Sequence, residues 1–267
     1  MINPFGRVSV LLNKILLFSI SCFFFLASAH AISLEEDLDW NIATGMKYFD
    51  ISIDSDSEGG TSVSNMVARI RADLAVMDRF FISATGRYDL LMENERETLY
   101  RGGDLIQENS FSYGERSLEL CGGMKLLPLF HPYFGFAISE LKIDRWRIQS
   151  ENRVPINDRI VNAYDLLLGV RGNYTLNDYT SLGYYISYQT SPNSEAEFQN
   201  DDFENVDTSG YSTEIFLKYW LPNELMEVGL HLYGGRYLMD MKSAANQLLP
   251  DTDIKYVGAF VSFRLNL

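Results

Sequence analysis

Between residues 66 and 76 the chain reads MVARIRADLAV, with Arg69, Arg71 and Asp73 at alternate positions between apolar side chains. A period of two is the mark of a β-strand, whose successive side chains point to opposite faces. Ionised groups on one face and apolar groups on the other leave two arrangements. Either the apolar row packs on a core and the charges meet water, or the apolar row meets lipid and the charges turn inward.

The pattern recurs along the whole chain. The stretch 38–50 alternates Trp40, Ile42, Met46 and Tyr48 with Asp39, Asn41 and Lys47; the stretch after Phe80 sets Ile82, Tyr88 and Leu90 against Arg87 and Asp89. Leu118, Leu120 and Met124 oppose Glu119 and Lys125, and "PYFGFAIS" alternates less clearly. Tyr164, Leu166, Leu168 and Tyr174 oppose Asp165 and Arg171; Leu182, Tyr184, Ile186 and Tyr188 follow. Tyr211, Ile215, Leu217 and Tyr219 oppose Glu214 and Lys218, Val228, Leu230 and Leu232 oppose Glu227 and His231, and Val261, Phe263 and Leu265 oppose Ser262 and Arg264. About ten strands result, with eight or twelve if the weakest segments are read otherwise.

Two further regularities favour lipid outside. Short connections ("MDR", "LLPLFHP", "LND", "PNEL") alternate with polar segments of roughly a dozen to twenty residues, which gathers all tight turns at one end, as in transmembrane barrels. Aromatic residues on the apolar faces are evenly spaced: Trp40 and Tyr48, Phe80 and Tyr88, and Tyr211 and Tyr219 lie eight apart, Tyr164 and Tyr174 ten apart. Eight residues at ~3.3 Å, tilted by ~40°, cover roughly 20 Å, the separation of two aromatic girdles.

The first residues read as an export signal. Arg7 and Lys14 precede a short apolar run, ILLFSISCFFFL, and a small-x-small site, giving expected cleavage after Ala31 and one barrel domain over 32–267. After that cut Cys121 is the only cysteine, so no internal disulfide forms. Two of the 22 basic residues lie in the leader, so the remainder carries all 36 acidic residues against 20 basic ones. That sign excludes a nucleic-acid footprint.

In this pattern the chain resembles the small single-chain outer-membrane β-barrel proteins of Gram-negative bacteria, porin-like or opacity-type. The resemblance covers 32–267 and implies an all-β, antiparallel up-and-down barrel in the bacterial outer membrane, with short periplasmic turns and long extracellular loops. It also implies contact with outer-membrane lipid and lipopolysaccharide. The closing strand, VGAFVSFRLNL, is similar to the signal that barrel-assembly machinery recognises.

Apolar outside means charged inside. Lys47, Arg69, Arg71, Arg87, Lys125, Arg171, Lys218 and Arg264 are expected in the lumen with Asp73, Asp89, Glu119, Asp165, Glu214 and Glu227, together with His231. Near-balance of sign argues for paired charges filling a narrow interior, closed or nearly closed. Across the "LPNE" hairpin Glu227 falls diagonal to Lys218, and His231 diagonal to Glu214.

The segment 190–210 holds Glu195, Glu197, Asp201, Asp202, Glu204 and Asp207 and reads as a solvated acidic loop. "DSDSEGG" has the first spacings of a calcium loop but Asn65 where the bidentate Glu is required, so no metal or other cofactor is expected. Arg145, Trp146 and Arg147 form a surface contact candidate in a third loop. For catalysis, His231 lacks the Asp two residues earlier that an omptin-type protease requires (Gly229) and the Ser two residues later that a deacylase requires (Tyr233). The sequence therefore points to a non-enzymatic barrel with a structural or surface-interaction role, its extracellular partner unidentified. A narrow passive porin for small solutes is the alternative, and an outer-membrane hydrolase the third reading.

Overall fold

The computed structural model describes residues 38–53, 60–76, 79–92, 94–101, 104–127, 129–149, 152–198, 201–221, 226–241 and 251–265. The export signal and the acidic run at 54–59 lie outside the described residues. The strands are β1 (Leu38–Ile53), β2 (Gly60–Val76), β3 (Phe80–Met92), β4 (Glu95–Arg101), β5 (Asp104–Met124), β6 (His131–Gln149), β7 (Asn152–Asn177), β8 (Thr180–Phe198), β9 (Asp201–Trp220), β10 (Met226–Met241) and β11 (Thr252–Leu265).

Sequence neighbours pair except β3 with β4, and the β1–β11 and β3–β5 pairings close the sheet into a ring. Tyr88 of β3 faces Arg116 of β5, and Glu95 of β4 faces Phe111 of the same strand. β4 is thus a continuation of β3, and the eleven strands form ten staves. Closure leaves no edge and satisfies the backbone between strands, the condition hydrocarbon imposes.

The outer face of the lower staves is apolar. Phe134, Phe136, Leu166, Leu168, Ile215, Leu217, Leu230, Leu232, Val261 and Phe263 all lie exposed there. The girdle residues Tyr48, Phe80, Tyr88, Tyr164, Tyr174, Tyr211 and Tyr219 are also outward and exposed, while Trp40 is half-buried at the start of β1. Tyr188 sits beside Tyr211, and Tyr219 beside Thr180, so the rings mark two heights on adjacent staves. Exposed aliphatic side chains between two aromatic levels make the surface of a transmembrane β-barrel.

The long loops expected at the other end are largely strand. A stave crosses the hydrocarbon with ~9–11 residues, whereas β7 has 26 and β5 has 21. Residues 190–198 pair with 201–209, down to Phe198 opposite Asp201. Arg145, Trp146 and Arg147 belong to β6, with Trp146 opposite Ser110. The physical reason is an inversion of pattern. Above the upper girdle apolar side chains point inward: Phe49, Ile51, Val63, Phe111, Leu141, Ile143, Val161, Ala196, Val206, Met239 and Ile254 form one buried cluster. Ser62, Ser64, Glu195, Asp207 and Asp240 face out. In water the staves bury their apolar face against one another, so the extension is an ordinary hydrophobic core wrapped by polar walls.

Outward positions at mid-band and above it should therefore respond oppositely to charge. Ile215→Arg is expected to cost ~2–4 kcal/mol of stability in bilayers, and Glu195→Arg almost nothing, measured by denaturant unfolding in lipid vesicles. Equal costs would contradict the assigned band.

Candidate functional site in the barrel interior

Most inward ionised groups lie in the band, where no water lies outside and each must find a partner across or along the lumen. At the turn end Lys218 Nζ lies 3.1 Å from Glu227 Oε1, the diagonal hairpin pair, and the Arg264 guanidinium lies 5.1 Å from the Trp220 ring. One layer up, Arg69 Nη1 donates to Glu214 Oε2 at 2.7 Å. Arg71 Nε donates to Asp73 at 2.9 Å, and Arg171 binds the other oxygen of the same carboxylate. Arg71 also covers the Tyr185 ring at 3.9 Å, and Arg171 the Phe81 ring at 3.5 Å. Arg87 pairs with Glu119 on the adjacent stave.

Towards the extension, Lys47 binds Glu115 and lies 4.2 Å from the Tyr256 ring and 4.6 Å from that of Phe49. Asp89 accepts from Asn65 Nδ2 at 2.7 Å and from the Glu115 backbone N–H at 2.8 Å. Asp165 accepts from Tyr237 at 2.9 Å and from Thr208 at 2.5 Å.

Three of these ion pairs cross the lumen. Arg69 and Glu214 stand on β2 and β9, Arg171 and Asp73 on β7 and β2, and Lys47 and Glu115 on β1 and β5, none of them neighbours in the ring. A cavity of about 70 Å³ remains among Lys47, Arg71, Arg87, Glu115, Glu119 and Tyr185. At ~10–15 Å³ per water it holds on the order of five waters.

Lys125 is placed elsewhere than expected. It follows the last residue of β5, is exposed in the 125–130 connection, and donates its backbone N–H to Arg79 O. Glu115 is absent from the expected inward set because β5 begins at Asp104, well before the clear alternation at Leu118 and Leu120; its odd-numbered phase with Glu119 and Cys121 is the signal that finds it. Sequence reading also misses the outward pairs. Arg116 binds Glu140, and Arg236 donates to both oxygens of Asp253 at 2.8 Å. In the extension burial pushes the Arg159 guanidinium down to about 10, with Asp251 opposing the shift; its Nη1 donates to Thr252 at 2.7 Å. Of the surface contact candidates Arg147 is exposed, while Arg145 and Trp146 are half-buried. Among the described residues no group of three or more His, Cys, Asp or Glu is set to hold a metal ion.

His231 stands in the same interior with Ser262 beside it. Its Nδ1 lies 2.6 Å from Glu214 Oε1 and its Nε2 2.7 Å from Ser262 Oγ. The Glu214 contact is the diagonal expected across the 221–225 turn. The Ser262 contact depends on the register of β10 with β11, which places Gly229 opposite Ser262.

Ring closure, an apolar outer band and a polar lumen define the class: a transmembrane β-barrel of the outer-membrane type. Solved structures with the same kind of fold include the outer membrane protease OmpT from Escherichia coli, at 12% identity over 86% of this chain and 97% of that one, with a TM-score of 0.49. The translocator domain of autotransporter NalP from Neisseria meningitidis matches at 9% identity over 92% and 96%, with a TM-score of 0.42. Neisserial surface protein A matches at 10% over 84% and 97%, with a TM-score of 0.31. These are likenesses of architecture and say nothing about activity. No protein-family model and no curated protein matches the chain.

Removing one partner of a cross-lumen pair leaves the other buried without its counter-charge, which costs ~3–5 kcal/mol. Lys47→Met should lower unfolding stability by about that amount, and Lys47→Met with Glu115→Gln by clearly less. Additive losses in this double-mutant cycle would show that the two groups are not coupled.

Proposed function

We propose that the chain is a closed, non-conducting barrel of the bacterial outer membrane that serves the cell surface, in envelope integrity or in contact with an extracellular ligand. The observation that carries this reading is the set of ion pairs joining opposite walls of the lumen. Arg69–Glu214 and Arg171–Asp73 occupy the axis that a solute would need. Above them the apolar cluster around Phe49, Phe111 and Ile254 fills the extension. A permeant ion would have to break buried pairs worth several kcal/mol and then enter a hydrophobic core.

The extended end supplies the surface. Its walls are paired strands, hence rigid, and Glu195, Asp240 and Asp251 stand exposed on them. A rigid acidic collar suits recognition of a basic or polar partner by electrostatic complementarity. Lipopolysaccharide surrounds the band in this reading, and assembly machinery engages β11 on the way in.

Planar-bilayer recording tests closure. The purified protein should give no stable single-channel openings, and conductance should appear only when Arg69→Ala and Arg171→Ala are combined with Phe49→Ala and Phe111→Ala in the apolar cluster. Stable large openings in the unmodified protein would overturn the reading and favour the porin.

A further inference from the structure

We propose that Ser262 is an activated nucleophile, able to take the acyl or phosphoryl group of a small activated ester or fluoride that enters from the turn end of the barrel. This goes beyond the role of a closed surface barrel and does not depend on it. The basis is the serial arrangement Ser262–His231–Glu214, built from three adjacent staves.

The proton positions follow from the contacts. Glu214 accepts at Oε1 from His231 Nδ1–H across 2.6 Å, which leaves the Nε2 lone pair to accept the Ser262 hydroxyl proton across 2.7 Å. That is the tautomer a general base needs, with the base oriented by a third group. The second carboxylate oxygen of Glu214 takes Arg69 Nη1 at 2.7 Å, so the two oxygens divide between the histidine and the arginine. Arg69 Nη2 lies 3.1 Å from the same nitrogen; the shorter contact, to a carboxylate that can only accept, assigns the Nδ1 proton to the Glu214 bond. Phe216 stacks on the imidazole with centroids 5.4 Å apart and planes at 29°, which fixes the ring orientation.

Gly229 makes the arrangement fit. A Cβ at that position would lie 2.3 Å from Ser262 Oγ and 2.8 Å from His231 Nε2. Only the absence of a side chain lets the hydroxyl and the ring meet there.

Access comes from the nearer end. Ser262 is buried, and one inward residue, Arg264, separates it from the end of β11. Two residues of strand are ~7 Å. Arg264 is half-buried and rests on Trp220, with the Lys218–Glu227 pair beside it, and a small reagent reaches the hydroxyl when these long side chains move aside.

With a carboxylic ester, Ser262 Oγ forms a bond to the carbonyl carbon and its proton passes to His231 Nε2. The alkoxide leaves with that proton as alcohol, and water returns the acyl group as acid by the same transfers. With diisopropyl fluorophosphate, the Oγ–P bond forms, the P–F bond breaks, and fluoride departs with the proton.

The test uses the detergent-folded protein and diisopropyl fluorophosphate, with the adduct located by peptide mass spectrometry and folding checked by heat-modifiable migration on gels. One diisopropylphosphoryl adduct is expected, on Ser262. Arg264→Ala should label faster. His231→Ala should label about 100-fold or more slowly, and Gly229→Ala should lose the adduct while still migrating as folded protein. Absence of an adduct in both the unmodified protein and a folded Arg264→Ala variant would overturn the proposal. So would labelling of folded His231→Ala at an undiminished rate, because a serine that needs no base is not activated.

Discussion

The backbone of a membrane-spanning sheet has no water to bond to, and closure of the ring through β1 and β11 is what removes that cost. The register joins Ile42 to Phe263 and continues without a break to Ile53 opposite Thr252. Once the ring is closed, the two faces of every stave have different solvents. The outer face of the band must be apolar, and the inner face is the only place left for Arg69, Arg71, Asp73 and their like. Charge pairing follows, since an unpartnered ion in a narrow, largely dry lumen costs far more than a hydrogen bond returns.

The staves then continue out of the membrane, with register shifts at Met66/Val67, Asn162/Leu166 and Ser191/Ser194, and exchange the roles of their faces. On β2, Arg69, Arg71 and Asp73 point inward within the band, while Val63 and Val67 point inward further along the strand. On β1 the change falls between Lys47 and Phe49. The Lys47 ammonium marks the junction, bound to Glu115 and surrounded by the rings of Phe49, Tyr256 and Tyr233. Closure is therefore accomplished twice, by ion pairs in the band and by apolar packing above it.

Much of this was legible from period two alone. Tyr211, Ile215, Leu217 and Tyr219 declare one face and Glu214 and Lys218 the other, so the ten staves, the band and most inward charges could be read directly. The Lys218–Glu227 and His231–Glu214 diagonals were legible as well, because a short turn sets their register. Lys47–Glu115 was not: the two residues are 68 apart and meet across the lumen, which no local pattern records. Ser262 next to His231 was hidden for a similar reason, since the 242–250 connection does not fix how β10 meets β11. The part of the extension at 194–208 reads as loop because the inward residues described there are Ser194, Ala196, Val206 and Thr208, which give little hydrophobic signal.

The central claim is that hydrocarbon surrounds the lower staves and water the upper ones. Nitroxide accessibility in lipid vesicles tests it most directly, using single cysteines at Leu217 and at Glu195 in a chain carrying Cys121→Ser. The label at 217 should be relaxed by dissolved oxygen and shielded from a water-soluble nickel chelate, and the label at 195 should show the reverse. Equal nickel access at both positions would mean that water, and not lipid, meets the apolar face.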